Sequence, residues 1–323
     1  MKKLLVVGII LLFIGLSISS TGTMVEQTTT GDVITVDDEG DGDYTSVKEA
    51  VNNSNPGDTI EVYSGTYYEN DIMIETDDIT LKGIPYELGN GSDTGKPILD
   101  GRGHSLLFIL SDKVTLSGFH FKNKGTIAAG TITLNTANYC LISENDVSDT
   151  LVTPIYCWKC YNTSIINNNL SHCAIRQGIS ITESNNNELS GNVISDMWLE
   201  GILVWGGNNN IITGNIVKRC NEGISLIGNF NLVKQNLLED NAFGVAVYGG
   251  FNKIQQNNFI SNNKMDAFFH LDLYTIPLPS FWFNNYWGRP RILPKLIFGF
   301  YLFFIPFVQV DWRPALLPHD IEV

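Results

Sequence analysis

The sequence predicts an all-β chain organised as a single parallel β-helix with three short strands per coil. Two observations carry this. Asn145, Asn168, Asn192, Asn215, Asn236 and Asn257 recur at spacings of 23, 24, 23, 21 and 21, and a fixed period in that range means stacked supersecondary units. Apolar residues also keep fixed offsets from each asparagine. Ile142, Ile165, Leu189, Ile212, Val233 and Ile254 lie three residues before; Val147, Leu170, Ile194, Val217, Leu238 and Phe259 lie two after. A third set, Ile155/Cys157, Ile179/Ile181, Ile202/Val204, Ile224/Leu226 and Val245/Val247, has the two-residue alternation of a strand with one buried face.

Three such strands separated by Asn/Gly/Ser turns make one coil, and stacked coils pair each strand with its counterpart about 4.8 Å away. Equivalent side chains then form ladders. An inward asparagine at a turn can bond backbone groups and the next asparagine's amide, which satisfies a polar group that is costly to bury alone. The repeats carry no helical periodicity, which argues against βαβ units, and no Leu-rich consensus.

Met1–Lys3 and the apolar run Leu4–Ile18 read as the charged and apolar regions of a signal peptide (1–24), with small residues Ser17, Ser19, Ser20 and Gly22 near a cleavage site. The run is short of the ~18–20 residues of a membrane span, so membrane attachment is expected only if this segment stays uncleaved. Residues 25–32 form a linker, and Gly31–Val36 a first strand. Ser46-Val47-Lys48-Glu49 is a capping box, and Val47, Ala50 and Val51 give its short helix an apolar face that covers the open end of the stack. Pro56-Gly57 ends it. Thr59–Tyr63, Ile72–Ile74 and Ile79–Leu81 are strands of the early coils, residues 85–97 a polar Gly-rich insertion, and Ile98–Gly101 and Val114–Phe121 resume the coils. Phe119 takes the position later held by the asparagine ladder. The β-helix is expected over 33–283, with an irregular C-terminal cap over 284–323 in which apolar Leu296–Val310 folds back over the last coil.

These rungs resemble the right-handed parallel β-helix repeats of the pectin-lyase-like superfamily, in particular NosD-like and carbohydrate-binding/sugar-hydrolysis β-helices of archaeal surface proteins. Asp43–Asn52 followed by Pro56–Tyr67 is similar to that family's entry, a capping helix and then the first coil. The resemblance spans roughly residues 33–290. It implies the fold and leaves the activity open, because fold alone does not give function. No Asn-Thr-Asp, Gly-His-Gly or Arg-Ile-Lys set like that of polygalacturonases is present, nor an Asp cluster with a nearby Arg like the pectate-lyase calcium site. Pro318-His319-Asp320 resembles part of an alginate-epimerase motif but lies off the repeats.

Twenty Lys and Arg stand against 34 Asp and Glu, a net charge of −14. That excludes a nucleic-acid partner, which needs a basic surface. It suits a secreted or cell-surface protein, expected as a monomer, with cations such as calcium as possible ligands.

Three groups of residues are candidate sites. The outward column Trp158, Thr182, Trp205, Ile227, Tyr248 carries three aromatics, Trp158, Trp205 and Tyr248, suited to stacking on sugar rings or to lying under a covering segment. Glu200 and Glu222 precede Gly201 and Gly223 on adjacent coils, roughly 5 Å apart by strand spacing. That spacing suits a retaining glycosidase pair, a hard-cation site, or plain surface acids. Cys173, Met197 and Cys220 share one angular position, either a column of small apolar side chains or, with His172 beside it, a soft-ligand ladder for copper. Cys173 and Cys220 lie two coils apart, too far for a disulfide. Cys157 and Cys160 form a C-x-x-C with no second pair at zinc spacing. A further column, Asp149, His172, Asp196, Arg219, Asp240, predicts a salt-bridged stripe. The leading expectation is polysaccharide or surface-glycan binding through the aromatics. The alternatives are a polysaccharide lyase or glycoside hydrolase using Glu200 and Glu222, a NosD-like copper-handling accessory protein, and a structural surface protein.

Overall fold

The computed structural model describes residues 31–125, 130–173, 175–271, 279–301 and 305–321; the expected signal peptide lies outside them. The chain winds as a right-handed β-solenoid of stacked coils. Each coil contributes one strand to each of three parallel ladders. One ladder runs from Val33–Val36 through Leu141–Ser143 to Phe281–Phe283. A second runs from Ile72–Ile74 through Glu200–Trp205 to Lys295–Tyr301. The third runs from Thr66–Tyr67 through Val193–Met197 to Tyr286–Trp287. The stack therefore continues past 283. The three aliphatic columns read from the sequence all point inward and form one continuous core.

The asparagine ladder exists and is longer than the repeat suggested. The side-chain oxygen of Asn145 accepts from the Phe119 amide at 3.1 Å, so Phe119 begins the column. Each following asparagine accepts the preceding one's side-chain NH2 at 2.9–3.1 Å through Asn168, Asn192, Asn215, Asn236, Asn257 and Asn285. Each also donates to the carbonyl of an aliphatic residue one coil back, as Asn215 does to Leu189 at 2.9 Å. Buried Asp311 ends the column, accepting from the Asn285 amide at 3.0 Å, the Asn285 side chain at 3.1 Å and Trp287 Nε1 at 3.2 Å. A second buried ladder, Asn187, Asn210, Asn231 and Asn252, runs at another corner. Its signal was in the sequence as asparagines spaced 23, 21 and 21 apart.

The capping helix is Val47–Asn52, with buried Val47, Ala50 and Val51 facing the first coils and the Ser46 hydroxyl accepting from the Glu49 amide. The Glu69 carboxylate, from a neighbouring coil, takes the Val47 and Lys48 amides at 2.8 Å each.

The C-terminal cap is more regular than expected. Lys295–Tyr301 adds a parallel strand to the stack, then Ile305–Asp311 returns antiparallel along it as a hairpin. Gly299 permits this, because a Cβ there would collide with the Phe269 carbonyl. Pro306 sits on the hairpin's outer strand, where its missing N–H is tolerated. Leu296, Phe298, Phe300, Ile305 and Phe307 are left exposed, so the apolar run is not buried by folding back. His319 fastens the tail: its amide donates to Asn258 Oδ1 at 2.8 Å and its Nε2 lies 2.7 Å from the Asn284 carbonyl oxygen. Among the described residues no helix is long and apolar enough to cross a membrane.

Candidate functional site

Three columns of side chains lie side by side on the outer face of the second ladder. The middle one is Tyr156, Ser180, Leu203, Ser225, Ala246 and Phe268, in register from coil to coil. Alternation turns this column away from the core, and Leu203 and Ala246 do not belong to the core cluster. Yet Ser180, Leu203, Ser225 and Ala246 are all buried.

On one side lies the aromatic column. Trp158 pairs with Thr182, Thr182 with Trp205 and Trp205 with Ile227, and Tyr248 follows on the next coil. Trp205 is 56% exposed, whereas Trp158 and Tyr248 are half-buried. The Lys159 ammonium lies 4.5 Å from the centre of the Trp158 ring.

On the other side lie Gln177, Glu200, Glu222 and Phe243. Glu200 and Glu222 are direct register partners, as are Glu222 and Phe243. A glycine follows each. A Cβ on Gly201 would lie 2.8 Å from the Gly223 carbonyl oxygen, and one on Gly223 would lie 2.5 Å from that of Gly244. The coils can close up there only with glycine.

The outer columns meet through Glu222. Its Oε1 accepts from the Tyr248 hydroxyl at 3.3 Å, and it also bonds the hydroxyl of Ser225 in the middle column. Burial pushes the Glu222 carboxyl up, and the nearby Glu200 adds to the rise; Ser225 and Tyr248 oppose it. Burial, and then the Glu222 charge, likewise raise the Tyr248 phenol. Glu200 Oε2 is buried without a hydrogen-bond partner. The structure thus brings one of the sequence-predicted aromatics, Tyr248, into contact with Glu222 of the acidic pair.

The column of Cys173, Met197 and Cys220 lies inside the core, apart from His172. Cys173 and Met197 are register partners and buried, and Cys220 is buried on the next coil. The Cys173 thiol lies 3.1 Å from the Val152 carbonyl oxygen and the Cys220 thiol 3.4 Å from that of Lys218. Burial holds both thiols above their ordinary pKa, Cys220 at about 12, which disfavours the metal-binding thiolate. His172 is exposed at a left-handed turn and faces solvent instead. Asp149, Asp196, Arg219 and Asp240 occupy the same turn position, with φ of 54–62°. Of the predicted stripe, the Asp196–Arg219 pair forms, bidentate at 2.6 and 2.7 Å.

Sequence reasoning passed over Trp198, 70% exposed and two residues before Glu200. It sits in the turn between strands, where alternation gives no direction; its nearness to Glu200 in the chain was the available signal.

The fold and its repeats define a class. Residues 105–265 match the family model described as the right handed beta helix region. The chain has that fold, a right-handed parallel β-helix. No curated protein matches the sequence. Among solved structures, it is similar to the alginate lyase AlyF-OU02 in complex with G6, at 15% identity and a TM-score of 0.57 over 80% of this chain and 60% of that one. A PL6 alginate lyase solved with a trisaccharide matches at 15% identity and a TM-score of 0.56, over 82% of this chain and 62% of that one. The pectate lyase Pel9A matches at 12% identity and a TM-score of 0.54, over 78% and 77%. The chain spans about three fifths of the length of both alginate lyases and 60% of that of a periplasmic alginate epimerase mutant. At these identities the likeness is one of fold.

Proposed function

We propose that this is a secreted or surface-held β-helix that binds a polysaccharide lengthwise along this face, with Trp158 and Trp205 as stacking platforms and Glu222 and Tyr248 as polar contacts. The observation that carries the reading is the exposed Trp205, in line with Trp158 and on a strand that also carries Glu200, register partner of Glu222. A sugar ring has apolar C–H faces and a hydroxyl rim, and these side chains offer a surface to each. Similar β-helices have been solved with a trisaccharide and with G6, which supports a carbohydrate ligand for this fold. The carboxylates on this face and the net charge of −14 favour a neutral glycan over an anionic one.

The test is a binding screen of neutral and anionic polysaccharides against the wild type and a Trp158→Ala/Trp205→Ala variant. Retention of a neutral polymer by the wild type, lost in the variant, is expected. No binding to any glycan, or equal binding by the variant, sinks the reading.

Hydrolysis of the bound glycan is a second reading, favoured by one observation: Glu222, pushed up by burial, stands one coil from Glu200. Adjacent strands lie about 4.8 Å apart, near the roughly 5–5.5 Å of a retaining carboxyl pair. Release of new reducing ends that disappears in both Glu200→Gln and Glu222→Gln is the expected sign; an identical rate in either variant refutes it.

A further inference from the structure

The first coil carries a concentration of acid that the proposed glycan face does not use. The strand Val33–Val36 runs into the loop Asp37-Asp38-Glu39-Gly40-Asp41-Gly42-Asp43, and the insertion 85–97, closed by an antiparallel bridge between Tyr86 and Thr94, comes to meet it. Ligand oxygens of Asp37, Asp38 and Glu39 lie within 4.8 Å of one another, and so do those of Glu39, Glu87 and Asp93. Glu39 belongs to both triplets and joins loop to insertion.

Backbone amides fix the directions of these carboxylates. Asp37 Oδ2 accepts from the Gly40 and Asp41 amides at 3.0 Å each, and Asp38 Oδ2 from the Thr66 amide at 3.0 Å. Glu87 is held by the Leu88 and Asp93 amides at 3.1 and 3.0 Å. The remaining oxygens of the two aspartates are left over. Asp37 is fully buried, and no N–H or hydroxyl donates to its Oδ1 or to the buried Oδ1 of Asp38; their neighbours are other carboxyls, Glu87 beside Asp37 and Glu39 beside Asp38. Among the described residues, no Lys, Arg or His forms an ion pair with any of the five acids. A buried carboxylate with neither donor nor counter-charge is costly. One positive charge placed among these carboxylates relieves both the missing donors and the missing counter-charge.

We propose that Asp37, Asp38, Glu39, Glu87 and Asp93 form a calcium-binding site that ties the first loop to the insertion and locks the N-terminal end of the stack. The donors are all hard carboxylate oxygens, with no nitrogen or sulfur to select a softer metal. Calcium takes such ligands at about 2.3–2.6 Å, so oxygens on opposite sides of the ion lie roughly 4.6–5.2 Å apart. Within each triplet the oxygens lie within 4.8 Å of one another, which is compatible with that span. Magnesium at about 2.0–2.1 Å would need a tighter, octahedral set, and it gives up its waters reluctantly.

The experiment is calorimetric titration of the chelator-treated full chain with calcium chloride and, separately, magnesium chloride, beside thermal melts in calcium and in EDTA. The expected result is calcium binding in or below the range of about 10⁻⁴–10⁻³ M typical of extracellular modules, with a higher Tm in calcium and weaker binding of magnesium. Asp37→Asn should weaken binding at least about tenfold, since losing even an indirect partner of a metal ligand costs that much. Because Asp37 also holds its own loop, Glu39→Gln/Asp93→Asn serves as the variant that keeps the fold. It should melt like the wild type in EDTA and gain nothing from calcium. Glu200→Gln/Glu222→Gln should bind calcium as the wild type does, which separates this site from the proposed glycan face. No heat and no Tm shift for the folded wild type, undiminished binding by Glu39→Gln/Asp93→Asn, or loss of binding in Glu200→Gln/Glu222→Gln would each overturn the proposal.

Discussion

Replacing Asn215 by alanine tests whether the asparagine ladder holds the coils together. The Asn215 side chain accepts from the Asn192 amide and the Asn192 NH2 at 2.9 Å each. It donates to Leu189 O at 2.9 Å, Thr213 O at 3.2 Å and Asn236 Oδ1 at 2.9 Å. Not all of this is lost outright. The Asn192 NH2 keeps its bond to Ile165 O at 2.8 Å, and Asn236 Oδ1 keeps the Asn215 backbone amide at 2.9 Å. The Asn192 amide loses its acceptor, and Leu189 O loses this donor, both in the interior. An orphaned buried group costs about 1–3 kcal/mol, and the remaining bonds about 1 kcal/mol each, so Asn215→Ala should destabilise by roughly 3–5 kcal/mol. Arg219→Ala is the control: it breaks an exposed pair to Asp196, worth at most about 1 kcal/mol. Urea unfolding followed by circular dichroism reads both, with unchanged slope required, because a stack of repeats can lose cooperativity locally. If Asn215→Ala costs under about 1 kcal/mol, or no more than Arg219→Ala, the ladder merely accompanies the core and does not hold it.

Gly228→Ala should be severely destabilising, since its Cβ would collide with the Gly207 carbonyl oxygen of the neighbouring coil; a Tm within a few degrees of the wild type would contradict the close approach. Because the folded Glu222 pKa is raised above its ordinary 4.5, its stabilising contribution is complete below that value and is lost as pH climbs through the raised one. Melts across that window should show the wild type losing Tm relative to Glu222→Gln as pH increases. The thiols of Cys140 and Cys220, buried and pushed up to about 12, should resist alkylation at pH 8 until the chain is unfolded.

The sequence revealed most where one residue type recurs at one corner of the coil. The Asn145–Asn257 period and its flanking aliphatics determined strands, register and inward faces, because stacking forces equivalent positions into line. The same logic located the Trp158–Tyr248 column and set Glu200 beside Glu222. It could not give the burial of the column between them, because Ser180, Leu203, Ser225 and Ala246 have no shared chemistry to repeat. Nor could it give the calcium site, whose ligands come from one loop and from an insertion roughly 50 residues later, neither of which repeats.

The end of the ladder shows how much a single departure from the pattern can carry. Every asparagine in the column both accepts from the coil before it and donates to the coil after. The last member has nothing further along the column to donate to, so an amide there would bury an unpaired NH2. Asp311, acceptor only, receives Asn285 twice and Trp287 once and leaves no proton over. It also bonds the Asn284 and Arg313 amides at 3.2 Å each, which fixes the turn into the tail. Asp311→Asn is nearly isosteric, yet it must present two hydrogens to a ring of donors. It should destabilise the C-terminal coil selectively, seen as faster amide exchange in Phe281–Trp287 while exchange in Ile211–Thr213 stays at the wild-type rate. Equal exchange in both segments would mean that the ladder's termination does not depend on the chemistry of its last residue.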